Sequence, residues 1–145
     1  MNLQIINQKF ITYKLDTLKI SKIVDNIFIN EKKLYQSISI ILEDDDFLKN
    51  LKNQYFNQDM YTDVISFNLE DSGQPIDGEI YISLPRVNDN SSSYSNNLNI
   101  EFKRIIIHGL LHLVGYDDRT DKEKEKMTNL ENQYIKLNSG IIIYE

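Results

Sequence analysis

The spacing of apolar residues in the first third of the chain predicts an extended start followed by a helix and a strand. β-Forming residues recur over residues 3–13 and predict an extended N-terminal stretch. Apolar residues at helical spacing then predict an amphipathic helix over residues 15–33, and residues 37–42 have the composition of a strand. The acidic run 44–46 follows. Carboxylates at this place cap free N–H groups and suit the helix dipole, so we expect a short helix to begin there rather than a metal site.

Two further strands are predicted in the middle of the chain. They cover residues 63–69 and 79–84, and the sequence DSGQPIDG (71–78) between them is typical of a turn. Residues 88–99 are dominated by Asn and Ser. We therefore expect this segment to be a mobile surface loop without helix or strand.

The last third predicts two helices of different character. Residues 100–115 are apolar on nearly all sides, which is typical of a buried helix, whereas residues 120–137 predict a surface helix. Thr120 and Glu123 have the spacing of a capping box at the start of the second helix. The apolar stripe of that helix consists of Met127, Leu130, Tyr134 and Leu137.

Strands and helices are therefore intermixed, in the order β–α–β–α–β–β–α–α. This order predicts an α+β fold in which a small mixed β-sheet packs against helices. Because no internal repeat or linker divides the chain, we expect residues 1–145 to form one domain.

Composition narrows the classes of function. The 145 residues include 16 Lys and Arg against 22 Asp and Glu, which gives a net charge of -6. This charge argues against a protein that coats nucleic acid non-specifically, although it allows a local basic groove. The chain has no cysteine, which excludes disulfides, thiolate metal sites and cysteine nucleophiles. The most apolar run, residues 105–114, is too short to span a bilayer, and no secretory signal is visible, so we expect a cytoplasmic protein.

His108 and His112, the only two histidines, lie four residues apart on the predicted buried helix. This spacing places both imidazoles on one helix face, where together they can hold one metal ion. Gly115 is typical of a helix end, and a carboxylate just beyond it, Asp117 or Asp118, can fold back toward the two rings. Two nitrogens, one oxygen and an open position form the ligand set of a catalytic zinc site. The alternative is that both histidines are buried polar residues with ordinary hydrogen-bond partners.

Three blocks of sequence resemble one known family. TDVISF (62–67), DGEIYIS (77–83) and HGLLHLVGYDD (108–118) are similar, in this order, to the signature blocks of the YbeY family of bacterial rRNA-maturation endoribonucleases. The common zinc proteases offer a weaker match, because Gly109 stands where they have a general-base glutamate.

The resemblance implies a zinc-dependent, single-strand-specific endoribonuclease that acts in maturation of the 16S rRNA 3′ end and in ribosome quality control. It implies rRNA and a ribosomal subunit as partners, with no DNA and no membrane. By position, one Zn²⁺ would be held by His108, His112 and Asp118, with Asp117 as the competing third ligand. Most family members have histidine at the position of Asp118, but aspartate is also a competent zinc ligand. No catalytic group is assigned beyond the metal-bound water, and no residue is assigned as general base.

A second departure from the family is the absence of an arginine side chain before the TDVISF block. Many members have a Tyr-Arg pair before the TDVISF block, and the matching residues here are Tyr55 and Phe56. A cation stabilises the charge that develops on a phosphate during cleavage, so Arg86 and Arg104 are candidate phosphate contacts, with surface solvation as the alternative for each. We interpret Phe56 as a core residue or, alternatively, as a ring on which an RNA base stacks. The expected RNA-binding patch consists of Lys49, Lys52, Lys103 and Arg104.

Two other functions are compatible with these residues. The missing cation favours a ribosome-associated binding factor with a structural metal and little hydrolytic activity. A metal-dependent hydrolase with another substrate is the third hypothesis. Cleavage of single-stranded RNA that requires the histidines would separate the endoribonuclease from both.

Overall fold

The computed structural model describes residues 1–94 and 97–145, and its strands and helices follow most of the predicted elements, with ends that differ by a few residues. The extended stretch predicted over residues 3–13 is wrong for its second half, because the strand ends at Ile6 and the chain then turns. The strands are β1 (Asn2–Ile6), β2 (Lys14–Leu15), β3 (Tyr35–Glu43), β4 (Val64–Asn68), β5 (Ile76–Ser83) and β6 (Ile143–Tyr144). The helices are α1 (Thr17–Asn30), α2 (Asp45–Phe56), α3 (Leu84–Ser93), α4 (Leu98–Leu113) and α5 (Asp121–Leu137).

Within this part of the chain, four strands form a mixed sheet in the order β1-β3-β5-β4, and β2 pairs with β6 in a separate ribbon. Strands β1, β3 and β5 are parallel, whereas β4 runs antiparallel to β5 and forms one edge of the sheet. The sheet packs against helices, so the predicted α+β fold is confirmed. The position of β4 at the edge matters for the site, because this edge borders the cavity described below.

The apolar core joins the sheet to helices α1, α4 and α5. Helix α4 approaches the sheet closely at Gly109, where an added Cβ would lie 2.9 Å from Ile80 Cγ2 and 3.0 Å from Ser66 Oγ. This approach fixes α4 against β4 and β5, and with it the two histidines on either side of Gly109. Among the helices within residues 1–94 and 97–145, none has the length and apolar character that a membrane span requires.

Helix α5 begins as the sequence predicts. Thr120 Oγ1 accepts a hydrogen bond from the Glu123 backbone, and the Glu123 side chain accepts one from the Thr120 backbone. Met127 and Tyr134 of the predicted stripe are buried, but Leu137 is 59% exposed, so the buried stripe ends at Tyr134.

The prediction of a loop over residues 88–99 is wrong for most of that segment. Helix α3 continues to Ser93, and α4 begins at Leu98. Residues 95 and 96, which the same prediction covered, lie outside the described residues. The correction adds a helix between β5 and α4.

Tertiary contacts explain why an Asn- and Ser-rich segment is helical. Ser83 caps α3, since its Oγ accepts a hydrogen bond from the Arg86 backbone at 3.3 Å, and Pro85 suits the first turn of a helix. Val87 and Ser91 are buried. Burial of one face therefore outweighs the low helix propensity of the Asn and Ser residues.

The substitution Ser83→Ala is expected to lower the free energy of unfolding by about 1–2 kcal/mol. It removes the cap of α3 and the hydrogen bond that Ser83 Oγ donates to Asp45 at 3.0 Å. Urea unfolding measures the change. The control Ser93→Ala, at an exposed position at the end of the same helix, should change the unfolding free energy by less than about 0.5 kcal/mol. Equal stability of Ser83→Ala and the wild type would contradict a stabilising role for the cap.

Candidate metal centre

Helix α4 and the turn after it bring two imidazoles and one carboxylate together. His108 and His112 lie one turn apart on one face of α4, near its C-terminal end. Gly115 has a φ of +112°, which favours glycine, and there the chain turns back toward the helix. This turn places Asp118 beside both rings, as the sequence predicts. The competing candidate Asp117 does not belong to this group of ligand atoms.

The three facing atoms form a triangle close to the size expected for ligands of one metal ion. The Nε2 atoms of His108 and His112 are 3.0 Å apart, and Asp118 Oδ2 lies 3.3 Å from the first and 3.6 Å from the second. Tetrahedral ligands bound at about 2.0–2.2 Å are separated by about 3.3–3.6 Å. We call His108, His112 and Asp118 the ligand triangle, and it could hold one metal ion.

The remaining ring nitrogens are hydrogen-bonded, which fixes the direction of both imidazoles. His112 Nδ1 lies 2.9 Å from the Tyr116 carbonyl oxygen, which can only accept, so Nδ1 carries the proton. His108 Nδ1 lies 2.7 Å from Glu131 Oε2, while Glu131 Oε1 accepts from Arg104, an arrangement that suits an ionised carboxylate between two donors. When both rings are neutral, their Nε2 lone pairs face each other at 3.0 Å, and a cation between them would stabilise this arrangement.

Carboxylates surround the histidines and shift the titration of His108. Burial lowers the pKa of His108, but the hydrogen bond and charge of Glu131, with the charges of Asp118 and Asp63, outweigh burial and raise the pKa above 6.5. Burial raises the pKa of Asp63, against the charge of His108 and a hydrogen bond from Asn90. This excess of carboxylates around two imidazoles favours a bound cation.

The ligand triangle opens into a cavity of about 760 Å³ along the edge strand β4. Residues 62–66 form one wall, and the end of α4 with the turn after it forms another. Lys52, Arg119 and the ring of Phe56 also line this cavity. Phe56 is 45% exposed, so its interpretation as a core residue is wrong. The cavity is large enough for part of an extended substrate.

Lys52 of the predicted RNA-binding patch lies in the wall of this cavity, whereas Arg86 and Arg104, the two predicted phosphate contacts, are not among its lining residues. Arg86 Nη2 pairs with Asp45 at 2.6 Å, and Arg104 Nη1 pairs with Glu131 at 3.0 Å. As phosphate contacts, both arginines stay predictions. Lys103 is buried, and burial lowers its pKa, so its inclusion in an RNA-binding patch is wrong.

Sequence analysis did not find Glu131, Tyr116 or Arg119. Glu131 is buried on the face of α5 that also contains Met127 and Tyr134. A glutamate is rarely buried without a partner, so its place in the apolar stripe of the predicted helix could have indicated a functional residue. Tyr116 and Arg119 offer no comparable signal, because only the turn after α4 brings them to the site.

The zinc affinity of the protein is expected to fall as the pH decreases from about 8 to about 6. Protons and metal compete for His108, and the carboxylates around this ring raise its pKa, so competition begins at a higher pH than for an isolated imidazole. Below that pKa, each pH unit should weaken binding by up to about tenfold through this one group. Equilibrium dialysis with zinc analysis measures the effect, and a constant affinity over this range would contradict it.

The fold and the ligand triangle define a mixed α+β protein with a candidate metal centre in an open cavity, and comparison with known proteins adds its family. The family model described as Endoribonuclease YbeY matches residues 4–138. Relatives named Endoribonuclease YbeY include that of Christiangramia forsetii, 40% identical over 74% of this chain and 75% of the relative. That of Chloroherpeton thalassium is 34% identical over 92% of this chain and 94% of the relative. The chain belongs to the YbeY endoribonuclease family.

A solved structure agrees with this assignment. The solution structure of TM1509 from Thermotoga maritima matches with a TM-score of 0.59 and 26% identity, over 94% of this chain and 87% of that chain. The resemblance drawn from three sequence blocks is therefore confirmed. Family membership supports an endoribonuclease, with RNA as the class of substrate.

Proposed function

We propose that this protein is a zinc-dependent endoribonuclease that cleaves single-stranded rRNA in the cytoplasm. Its proposed role is maturation of the 16S rRNA 3′ end and ribosome quality control, with a ribosomal subunit as partner. The observation that carries the proposal is the ligand triangle in an open cavity, in a chain of an endoribonuclease family. An unpaired strand suits this cavity, because its backbone and bases are not enclosed in a helix.

The ligand triangle suits zinc. Zinc binds imidazole nitrogen and carboxylate oxygen, and catalytic zinc sites keep one position open. When bound, zinc supplies the Lewis acidity that activates water or polarises a phosphoryl oxygen. His108 and His112 must be neutral to serve as ligands, and the hydrogen bonds of their Nδ1 atoms orient both Nε2 atoms toward the same point.

Lys52 and Arg119 are proposed to bind the phosphate in the cavity. The phosphoryl oxygens gain negative charge during cleavage, and cations beside them lower the barrier. Arg119 directly follows Asp118 in the chain, which places its backbone next to the ligand triangle. Arg86 and Arg104 already pair with carboxylates, so we propose that they contact only phosphates farther along the strand.

Asp63 is proposed to exchange a proton with the reacting groups. Its carboxyl lines the cavity, and burial raises its pKa, which brings it closer to the range where a carboxyl can both donate and accept. Asn90 donates a hydrogen bond to Asp63 Oδ2 at 3.0 Å and holds the carboxyl in place.

A ribosome-associated binding factor with a structural metal is the second candidate, and Phe56 is the observation in its favour. Phe56 lines the cavity without contributing a charge, at the position where the sequence resemblance implies an arginine in many family members. In that case the metal would stabilise the fold and RNA binding, with little hydrolysis.

Cleavage assays on the purified protein test the proposal. A single-stranded rRNA fragment should be cut when zinc is present, the same fragment annealed to its complement should be cut far more slowly, and a chelator should stop the reaction. RNA that is bound but stays intact at every zinc concentration would favour the binding factor. Equal cleavage of paired and unpaired RNA would contradict single-strand specificity.

A further inference from the structure

A row of aromatic rings leads away from the metal cavity on the side of the sheet opposite α4. Phe56 stacks on Phe67, with centroids 6.0 Å apart and planes inclined by 16°. Phe67 contacts Tyr81 edge-on at 6.1 Å, and Tyr81 stacks on Phe47 at 5.9 Å. Ser66 faces α4, so the next residue, Phe67, points to the other face of the sheet. We call Phe56, Phe67, Tyr81 and Phe47 the aromatic row.

Phe56 is the member of the aromatic row that lines the metal cavity. It is the last residue of α2, which ends at the left-handed C-cap Asn57. Packing against Phe67 fixes the orientation of the ring, and yet Phe56 is 45% exposed. One helical turn earlier, Lys52 places its Nζ 5.1 Å from the ring centroid. The ring is therefore a preorganised flat surface with a cation beside it.

The charges near Phe56 favour a polyanionic ligand over an apolar protein surface. Lys52 and Arg119 line the same cavity, and neither forms an ion pair within the described part of the chain. An apolar partner would desolvate both cations without compensation, whereas a phosphodiester backbone would neutralise them. Asp63 and Asp117 also line the cavity, so the region suited to phosphate lies toward Lys52 and Arg119.

We propose that Phe56 stacks against an unpaired RNA base whose neighbouring phosphate lies in the metal cavity. This inference rests on the proposed function and specifies how the single strand is held. A base within a duplex has both faces covered by its neighbours, whereas an unpaired base can offer one face to an aromatic ring. A stacking contact at Phe56 would thus hold the single strand in the cavity that contains the ligand triangle.

Substitutions of Phe56 separate stacking from general apolar contact. Phe56→Ala should weaken the binding of a short single-stranded RNA by roughly 5- to 150-fold and raise KM more than it lowers kcat. Phe56→Leu keeps apolar volume without a flat π face and should bind like the alanine variant, whereas Phe56→Tyr should bind like the wild type. Tyr144→Ala removes an exposed ring on β6, outside the cavity, and should also bind like the wild type.

A fluorescence titration tests the contact directly. The chain has no tryptophan, so Phe56→Trp introduces one tryptophan, which can be excited selectively at wavelengths where the nine tyrosines absorb little. In the full chain, with chelator present to keep RNA intact and then with zinc, single-stranded oligoadenylate should quench this fluorescence. An abasic oligomer of the same length and charge should leave it nearly unchanged.

Equal quenching by the two oligomers, or wild-type affinity of Phe56→Ala, would overturn the stacking proposal. Cleavage by the wild type is measured in a separate assay, so neither of these two outcomes would contradict the proposed nuclease activity. Base-dependent quenching without any cleavage would instead support stacking and count against the nuclease.

Discussion

The His108→Ala protein is expected to lose its metal ion and at least about 100-fold of its RNA-cleaving activity. Changes in residues that only orient a metal ligand typically cost roughly 10- to 100-fold, so removal of a ligand should cost more. The substitution leaves His112 and Asp118 as the remaining two members of the ligand triangle. Metal analysis after dialysis and cleavage of a single-stranded RNA measure the two losses.

The matched control for His108→Ala is Glu125→Ala, at an exposed position of α5. This control should keep its metal and its activity, and thermal unfolding of both variants checks that the fold is retained. Equal cleavage by His108→Ala and the wild type would indicate a contaminating nuclease and remove the support for a catalytic metal centre.

Glu131→Gln is expected to reduce metal affinity by about 10- to 100-fold. Glu131 accepts from His108 Nδ1 at 2.7 Å and from Arg104 at 3.0 Å, and glutamine has no charge to stabilise either donor. The carboxylate also raises the pKa of His108, so the substitution should lower that pKa in the metal-free protein. Weaker competition from protons adds least affinity at a pH well above the pKa of His108, where the ring is neutral, so zinc titrations at high pH should show mainly the loss of orientation and basicity.

Glu125→Gln on the same helix is the control for Glu131→Gln and should change neither property. Zinc titration measures affinity, and proton NMR follows the titration of His108, which is resolvable because the chain has only two histidines. If Glu131→Gln left both the zinc affinity and the His108 titration unchanged, Glu131 would have no influence on the ligand.

Local sequence patterns were sufficient to predict the helices whose buried face follows from the spacing of their own apolar residues. The uniformly apolar segment around His108 became the buried helix α4, and Thr120 caps α5 as its spacing predicts. The prediction failed at α3, where Asn and Ser have low helix propensity. Burial of Val87 and Ser91 against the rest of the protein stabilises that helix, and such burial cannot be inferred from the segment alone.

The same distinction applies to the candidate site: some of its residues follow from the local sequence, and others are brought there by tertiary packing. The pairing of His108 and His112 follows from helix geometry, and Asp118 lies only a turn beyond the helix. Glu131 contacts His108 from 23 residues away, and Phe56 reaches the cavity from a different helix. Lys103 belongs to the segment that carries the histidines, but the packing of α4 buries it away from any RNA.

The amino-acid sequence on its own determined the helix that carries both imidazoles, the carboxylate beyond its end and the family to which the chain belongs. The tertiary structure alone decided that Glu131 orients one ring, that Lys52 and Arg119 line the cavity, and that Phe56 is accessible there. The physical reason is that backbone hydrogen bonds set distances within a helix, whereas distances between elements depend on how their apolar faces pack.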